Sequence, residues 1–113
     1  MLFGLLPGTL DVLVLKALAT APNHGYGVAQ WVRDATEGEF VVEDGALYTA
    51  LHRLEKRGLL RADWKPSTTN RRAKYYTLTA SGERVLAEQT AAWRRSARAL
   101  SRALDRKSAR ASS

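Results

Sequence analysis

Between positions 44 and 60 the chain reads DGALYTALHRLEKRGLL, and this run limits the possible folds more than any other. Leu47, Leu51 and Leu54 recur at i, i+4 and i+7 with Ala50 beside them, so a short helix here has one apolar side. At about 100° per residue, the opposite side carries Gly45, Thr49, His52, Arg53 and Lys56, a polar and basic face. Asp44 suits the N-cap, and Gly58, following Lys56 and Arg57, stands where a left-handed residue stops a helix. Small residues in the first turn, polar ones in the middle and cations at the end fit insertion into a DNA major groove, where small side chains permit close approach. An ordinary solvated helix face has the same composition, so the flanking sequence has to decide.

The charge distribution favours the first reading. The 113 residues, 45% hydrophobic, make one domain with a modest core, and their net charge of +7 is uneven. Residues 1–43 hold two Lys/Arg against five Asp/Glu, net −3, whereas residues 44–78 and residues 79–113 each hold eight against three, net +5. The basic part begins at the helix just described. Its partner is expected to be a polyanion, nucleic acid before membrane, because the basic segments have no large apolar face beside them. The absence of cysteine excludes disulfides and thiolate metal sites and fits a reducing cytoplasm. The apolar start, MLFGLLPGTLDVLVLKALAT, has no basic leader, and Pro7, Gly8, Asp11 and Lys16 interrupt it too early for a signal core or a membrane span.

That start reads instead as a helix capped by Thr9. Leu10, Leu13, Val14, Ala17 and Leu18 form one stripe and Val12, Leu15 and Ala19 a second, so two partners are needed, and the second is expected to be another subunit. After a break at Ala21, Pro22 and Asn23, the run HGYGVAQWVRDATEGEF predicts a second helix over residues 25–36, with Val28, Ala29 and Val32 on its apolar face. Gly25 and Gly27 let another helix pack close. With His24 and His52 the only histidines and no cysteine, His24 reads as a hydrogen-bonding residue near the helix start and not as a metal ligand. Residues 40–43 form a short extended connector.

Beyond Gly58 two runs alternate. Leu60, Ala62 and Trp64 oppose Arg61, Asp63 and Lys65, and Ala73, Tyr75 and Thr77 oppose Lys74, Tyr76 and Leu78, which predicts two strands. PSTTNR between them is turn-rich, with Asn70 suited to a left-handed conformation. Three helices followed by a basic hairpin is the order of a winged helix-turn-helix, in which Arg71, Arg72 and Lys74 meet phosphate beside the groove that the third helix enters. From Thr79, a good N-cap, a last helix continues to about residue 105. Leu86, Trp93 and Leu100 fall seven apart, with Thr90, Ala97 and Leu104 four after each, a heptad seam for a dimer. At about 1.5 Å per residue such a helix is ~40 Å long and outreaches its own domain. Arg94, Arg95, Arg98, Arg102 and Arg106 cover its outer sides. The expected fold is mainly α with a small β-hairpin: a winged helix-turn-helix over 1–79, a dimerisation helix over 80–106 and a disordered tail over 107–113.

LLPGTLDVLVLKAL, HGYGVAQWV, GALYTALHRLEKRGLL and KYYTLTASGERVL, in this order and spacing, resemble the PadR-type bacterial transcriptional regulators over roughly residues 5–93. The resemblance implies a dimeric winged-helix repressor of the short-tailed branch, with Tyr48, Arg53 and the wing cations on DNA. Ala46 and Thr49 stand where that family usually has a hydroxyl residue and a proline. Both lie on the groove-entering part of the helix, so the resemblance carries over no operator sequence.

No GxSxG elbow, phosphate-cradling glycine loop or paired histidine motif is present in the sequence, and no cofactor is expected. Three functions remain: a sequence-specific repressor of a palindromic operator in double-stranded DNA, a non-specific architectural or RNA-binding module, and an effector sensor whose output is DNA binding. Tyr48 either reaches a phosphate with its hydroxyl or packs beside the apolar stripe. Trp93, flanked by Ala92 and Ala97 on the seam, either fills the dimer core or stacks on a planar hydrophobic or phenolic effector held between two C-terminal helices. The resemblance supports the second, because some short-tailed relatives bind drugs or phenolic compounds there.

Overall fold

The computed structural model describes residues 8–66, 69 and 71–109. Its elements are α1 (Thr9–Thr20), β1 (Asn23–His24), α2 (Gly25–Ala35), α3 (Asp44–Lys56), β2 (Leu60–Pro66), β3 (Arg72–Leu78) and α4 (Ala80–Leu104). The predicted conformation of Asn70 and the last four residues of the predicted tail, 110–113, lie outside the described residues. Residues 107–109 follow α4 as exposed chain.

The core forms where three amphipathic helices meet one face of the sheet. Val14, Leu15, Ala17 and Leu18 of α1, Val28 and Val32 of α2, and Leu47, Ala50, Leu51 and Leu54 of α3 are buried with Tyr76 of β3. Truncating any of the three α3 leucines to alanine removes packing worth about 2–5 kcal/mol. The two stripes expected on the first helix do not stay separate. Leu15 joins the core, Val12 is half-buried, and Ala19 is exposed. One wide face results because α4 also packs along α1.

Two predicted caps move by one residue. The first intrahelical bond of α3 runs from Leu47 N–H to Glu43 C=O (2.9 Å), and that of α1 from Val12 N–H to Gly8 C=O (3.1 Å). Glu43 and Gly8 are therefore the N-caps; glycine has no side chain to close the cap, and that of Glu43 does not close it. Asp44 instead occupies the first turn of α3, where its carboxylate faces the positive end of the helix dipole. Thr9 is already helical and buried.

The predicted hairpin is part of a three-stranded antiparallel sheet in the order β1-β3-β2. Its register pairs Leu60 with Leu78, Ala62 with Tyr76 and Trp64 with Lys74. β1 adds Asn23 opposite Tyr76 and His24 opposite Tyr75. Two residues are too few to show alternation, so this strand leaves no mark in the sequence.

α3 ends in a Schellman turn. Gly58 (φ 76°) takes the left-handed position, Leu59 N–H reaches Leu54 C=O (3.0 Å), and Gly58 N–H reaches Glu55 C=O (2.9 Å). The start of α4 is fastened to this turn. Thr79 donates its hydroxyl to Gly58 C=O (2.8 Å) and its N–H to Leu59 C=O (3.1 Å), while its Oγ1 accepts from Gly82 N–H (3.0 Å). From this joint α4 runs 25 residues, ~37 Å at 1.5 Å per residue, and gives the molecule its 65 × 27 × 20 Å outline. Gly82 is buried against the turn, and a Cβ there would lie 2.3 Å from Leu59 O. Gly82→Ala is therefore expected to cost about 1–3 kcal/mol. Gly45→Ala, where a Cβ meets nothing within 4 Å, is expected to be neutral or stabilising by up to about 1 kcal/mol. Urea denaturation of both variants checks the contrast, and equal midpoints would refute it.

Candidate nucleic-acid interface

The outer face of α3 presents Gly45, Thr49, His52, Arg53 and Lys56 to solvent, all exposed. Gly45 leaves open space at the leading turn. Two predicted contact residues on or beside this face are already engaged within the chain. Arg53 places Nη2 on the Asp11 carboxylate and so ties α3 to α1. Lys74 sets Nζ 3.1 Å from Glu55 Oε1 and 5.4 Å from the Tyr76 ring centroid, so the wing's middle cation turns toward α3. Arg71 and Arg72, at the far end of the wing, are exposed.

Tyr48 packs on a neighbouring element and keeps an open edge. A Cβ at Gly25 would come within 2.9 Å of its ring and hydroxyl, so the side chain packs over the start of α2, while 47% of the residue stays exposed. His24 is the N-cap of α2 and accepts from Gly27 N–H on Nδ1 (3.0 Å). Its ring meets Tyr75 edge-on, with centroids 5.2 Å apart. Among the described residues, no cluster of three His, Cys, Asp or Glu is placed to hold a metal.

Two aromatic residues that the sequence reading did not assign to the interface are prominent here. Tyr26 on α2 is 69% exposed and Trp64 on β2 is 59% exposed. With Tyr48, His52, Lys74 and Tyr76 they line a cleft of ≈ 740 Å³ between α3 and the wing. Tyr26 sits in a glycine-flanked turn with no periodic signal. Trp64 alternates in phase with buried Leu60, which suggested an inner position without showing that the helices end short of it.

On α4, Trp93 lines two smaller clefts. One, ≈ 210 Å³, includes Val12, Ala92, Ala97 and Leu100, and the other, ≈ 350 Å³, includes Leu13, Phe40 and Leu86. Of the predicted seam, Leu86 packs partly on this chain's own core, whereas Trp93 (41%), Leu100 (49%) and Leu104 (80%) are exposed. Ala97 is half-buried.

A three-helix core with a hairpin beside its third helix, followed by a long trailing helix, defines a winged-helix protein. Residues 14–88 match the PadR-like family of transcriptional regulators, and the chain belongs to that family. It is similar to a PadR family regulator from Eggerthella lenta at 32% identity and a TM-score of 0.77, with 95% of this chain and 91% of that one covered. A PadR family regulator from Clostridium difficile is similar at 30% identity and a TM-score of 0.74, covering 86% and 99%. Bacillus subtilis PadR, solved in complex with operator DNA, shares the fold at 22% identity and a TM-score of 0.64, covering 72% of this chain and 46% of that one. Among the described residues no helix is long and apolar enough to cross a membrane.

The wing contact also sets an alkaline limit. Lys74 is raised above its ordinary 10.5, first by its hydrogen bond to Glu55, with burial opposing. Tyr76 is raised above its ordinary 10.0, first by burial, with the Lys74 charge opposing. In each case the native state keeps a proton that the unfolded chain releases first. The resulting stability is complete below about pH 10 and is lost as pH rises through the raised native values. The urea midpoint is expected to fall above about pH 10, and less steeply in Tyr76→Phe. A midpoint that stays flat to about pH 11.5 in the wild type would contradict this.

Proposed function

We propose that the protein is a cytoplasmic, homodimeric repressor that binds a palindromic operator in double-stranded DNA and is released by a planar hydrophobic or phenolic effector. The observation that carries DNA binding is the exposed basic face of α3, left open at Gly45 beside a wing whose distal arginines reach outward. In this reading Gly45, Thr49 and His52 face base edges, while Tyr48, Lys56, Arg71 and Arg72 meet phosphate. Arg53 holds α3 through Asp11 and presents its remaining donors to the DNA backbone, while Lys74, paired with Glu55, holds the wing against α3. The operator complex of the Bacillus subtilis relative supports the reading by its shared fold. The fold and family support a regulator and not an enzyme.

Selection from a randomised duplex library, followed by competition of the best sequence against random duplex, tests specificity. Similar affinity for both would make the protein a non-specific nucleic-acid module. Arg72→Ala is expected to weaken binding to all duplexes and to lower the salt slope by about 0.9 per subunit. Thr49→Ala is expected to change preference among sequences instead, and unchanged relative affinities across the library would remove Thr49 from the readout.

The dimer reading is supported by the exposed part of the seam, Trp93, Ala97, Leu100 and Leu104, beyond the point where Leu86 leaves the chain's own core. A two-fold axis there would set two α3 helices about one DNA turn apart. In this reading the effector binds at Trp93, a reading supported by the two clefts that this residue lines and that the partner's α4 would close. An effector that prefers a different α4 spacing would move α3 through the Thr79 joint and so release DNA. Sedimentation at micromolar concentration is expected to show a dimer. Planar dyes and simple phenols are expected to quench tryptophan emission in the wild type and not in Trp93→Ala. A monomer, or quenching indifferent to that change, would refute the dimer or the effector site respectively.

A further inference from the structure

The inner face of the β2–β3 hairpin runs from core to solvent within three alternate residues. Leu60 is buried, Ala62 half-buried, and Trp64 59% exposed. Their alternation with Arg61 and Asp63 keeps them on one side of the strand. Across the ladder Ala62 faces buried Tyr76, and Trp64 faces Lys74, whose amine turns to Glu55 on α3. Trp64 is thus the next step outward on the face that covers α3. Tyr48 and His52, four residues apart on α3, and Tyr26 on α2 stand across the ≈ 740 Å³ cleft from it.

The chemistry of this cleft is specific. Its one lysine is already neutralised by Glu55, so a small free anion finds no unpaired ammonium there. Its walls are mainly flat ring faces and edges, which suit an apolar planar or sugar surface. Tyr48 and His52 belong both to the cleft and to the exposed face of α3, so a duplex lying along that face passes the cleft mouth. Exposed Arg71 and Arg72 adjoin its outer end at Ala73.

We infer that the cleft takes one sugar–phosphate strand of the duplex, with Trp64 packed on a deoxyribose face and the phosphates directed outward to Arg71 and Arg72. This rests on the DNA-binding reading above and adds a contact that is not ionic. Phosphate contacts release counterions and so steepen the salt dependence, whereas a ring on a sugar releases none. Trp64 therefore contributes affinity without contributing salt slope and without choosing among sequences.

The test uses full-length protein and the best duplex from the library. Trp64→Ala is expected to raise Kd about tenfold per subunit, so about a hundredfold for the dimer, at every salt concentration, the lower end of what an aromatic contact to nucleic acid contributes. The salt slope and the ranking of sequences should stay those of the wild type. Trp64→Phe should recover most of the affinity. The emission belonging to Trp64, taken as wild type minus Trp64→Phe, should change when duplex is added. Because the residue is largely exposed, the urea midpoint serves as a control that both variants remain folded. Wild-type affinity in Trp64→Ala, a changed salt slope, or Trp64 emission indifferent to duplex would each overturn the inference. A Trp64 response to benzoate or a free nucleoside, with none to duplex, would overturn it in favour of a small-molecule site. Failure of the wild type to bind any duplex would sink the DNA-binding reading itself, an outcome seen without the Trp64 variants.

Discussion

Three elements meet at one threonine. Thr79 donates to Gly58 C=O through its hydroxyl and to Leu59 C=O through its N–H, while capping α4 by accepting from Gly82 N–H. Leu59 in turn closes the Schellman turn of α3 and leads directly into β2. The end of α3, the beginning of β2 and the root of α4 therefore share one hydrogen-bonded joint. Gly82 is buried at this point because a side chain would meet the Leu59 carbonyl. In the proposed dimer, movement of α4 about its root would be passed through this joint to the end of α3.

Electrostatics at that surface is arranged more sparingly than the net charge suggests. Of the cations assigned to the interface, Arg53 is held by Asp11 and Lys74 by Glu55. Pairs this exposed contribute little to stability, typically below about 1 kcal/mol. Their effect is geometric: Asp11 ties α3 to α1, and Glu55 ties the wing to α3. The outward field comes from Arg71, Arg72, Lys56 and the row of arginines along α4, all exposed. Aromatic side chains line the cleft beside the paired Lys74, so this surface combines exposed cations with an apolar trough.

α1, α2 and α3 were legible because each carries an apolar stripe that only burial explains. Leu47, Leu51 and Leu54 recur at helical spacing and are all buried, and Gly58 takes the left-handed turn its position required. Thr79 was recognisable as a cap from its own chemistry. Asp44 and Thr9 were not the caps, because the residue whose carbonyl takes the first helical bond is set by the path of the preceding chain. β1 was invisible, since two residues gain their strand geometry only from the Tyr75–Tyr76 edge that they pair with.

Composition and periodicity by themselves determined the order of the four helices and the β2–β3 hairpin, the buried leucines, the basic outer face of α3 and the exposed far end of α4, because each depends on spacing within one segment. Only the tertiary structure decided which cations are free. Asp11 and Arg53 lie 42 residues apart in the chain, and Glu55 and Lys74 lie 19 apart, so no local pattern pairs them. The aromatic cleft is tertiary in the same sense. Tyr26, Tyr48 and Trp64 come from three elements, and their shared surface exists only because the hairpin's inner face extends beyond the helix it covers.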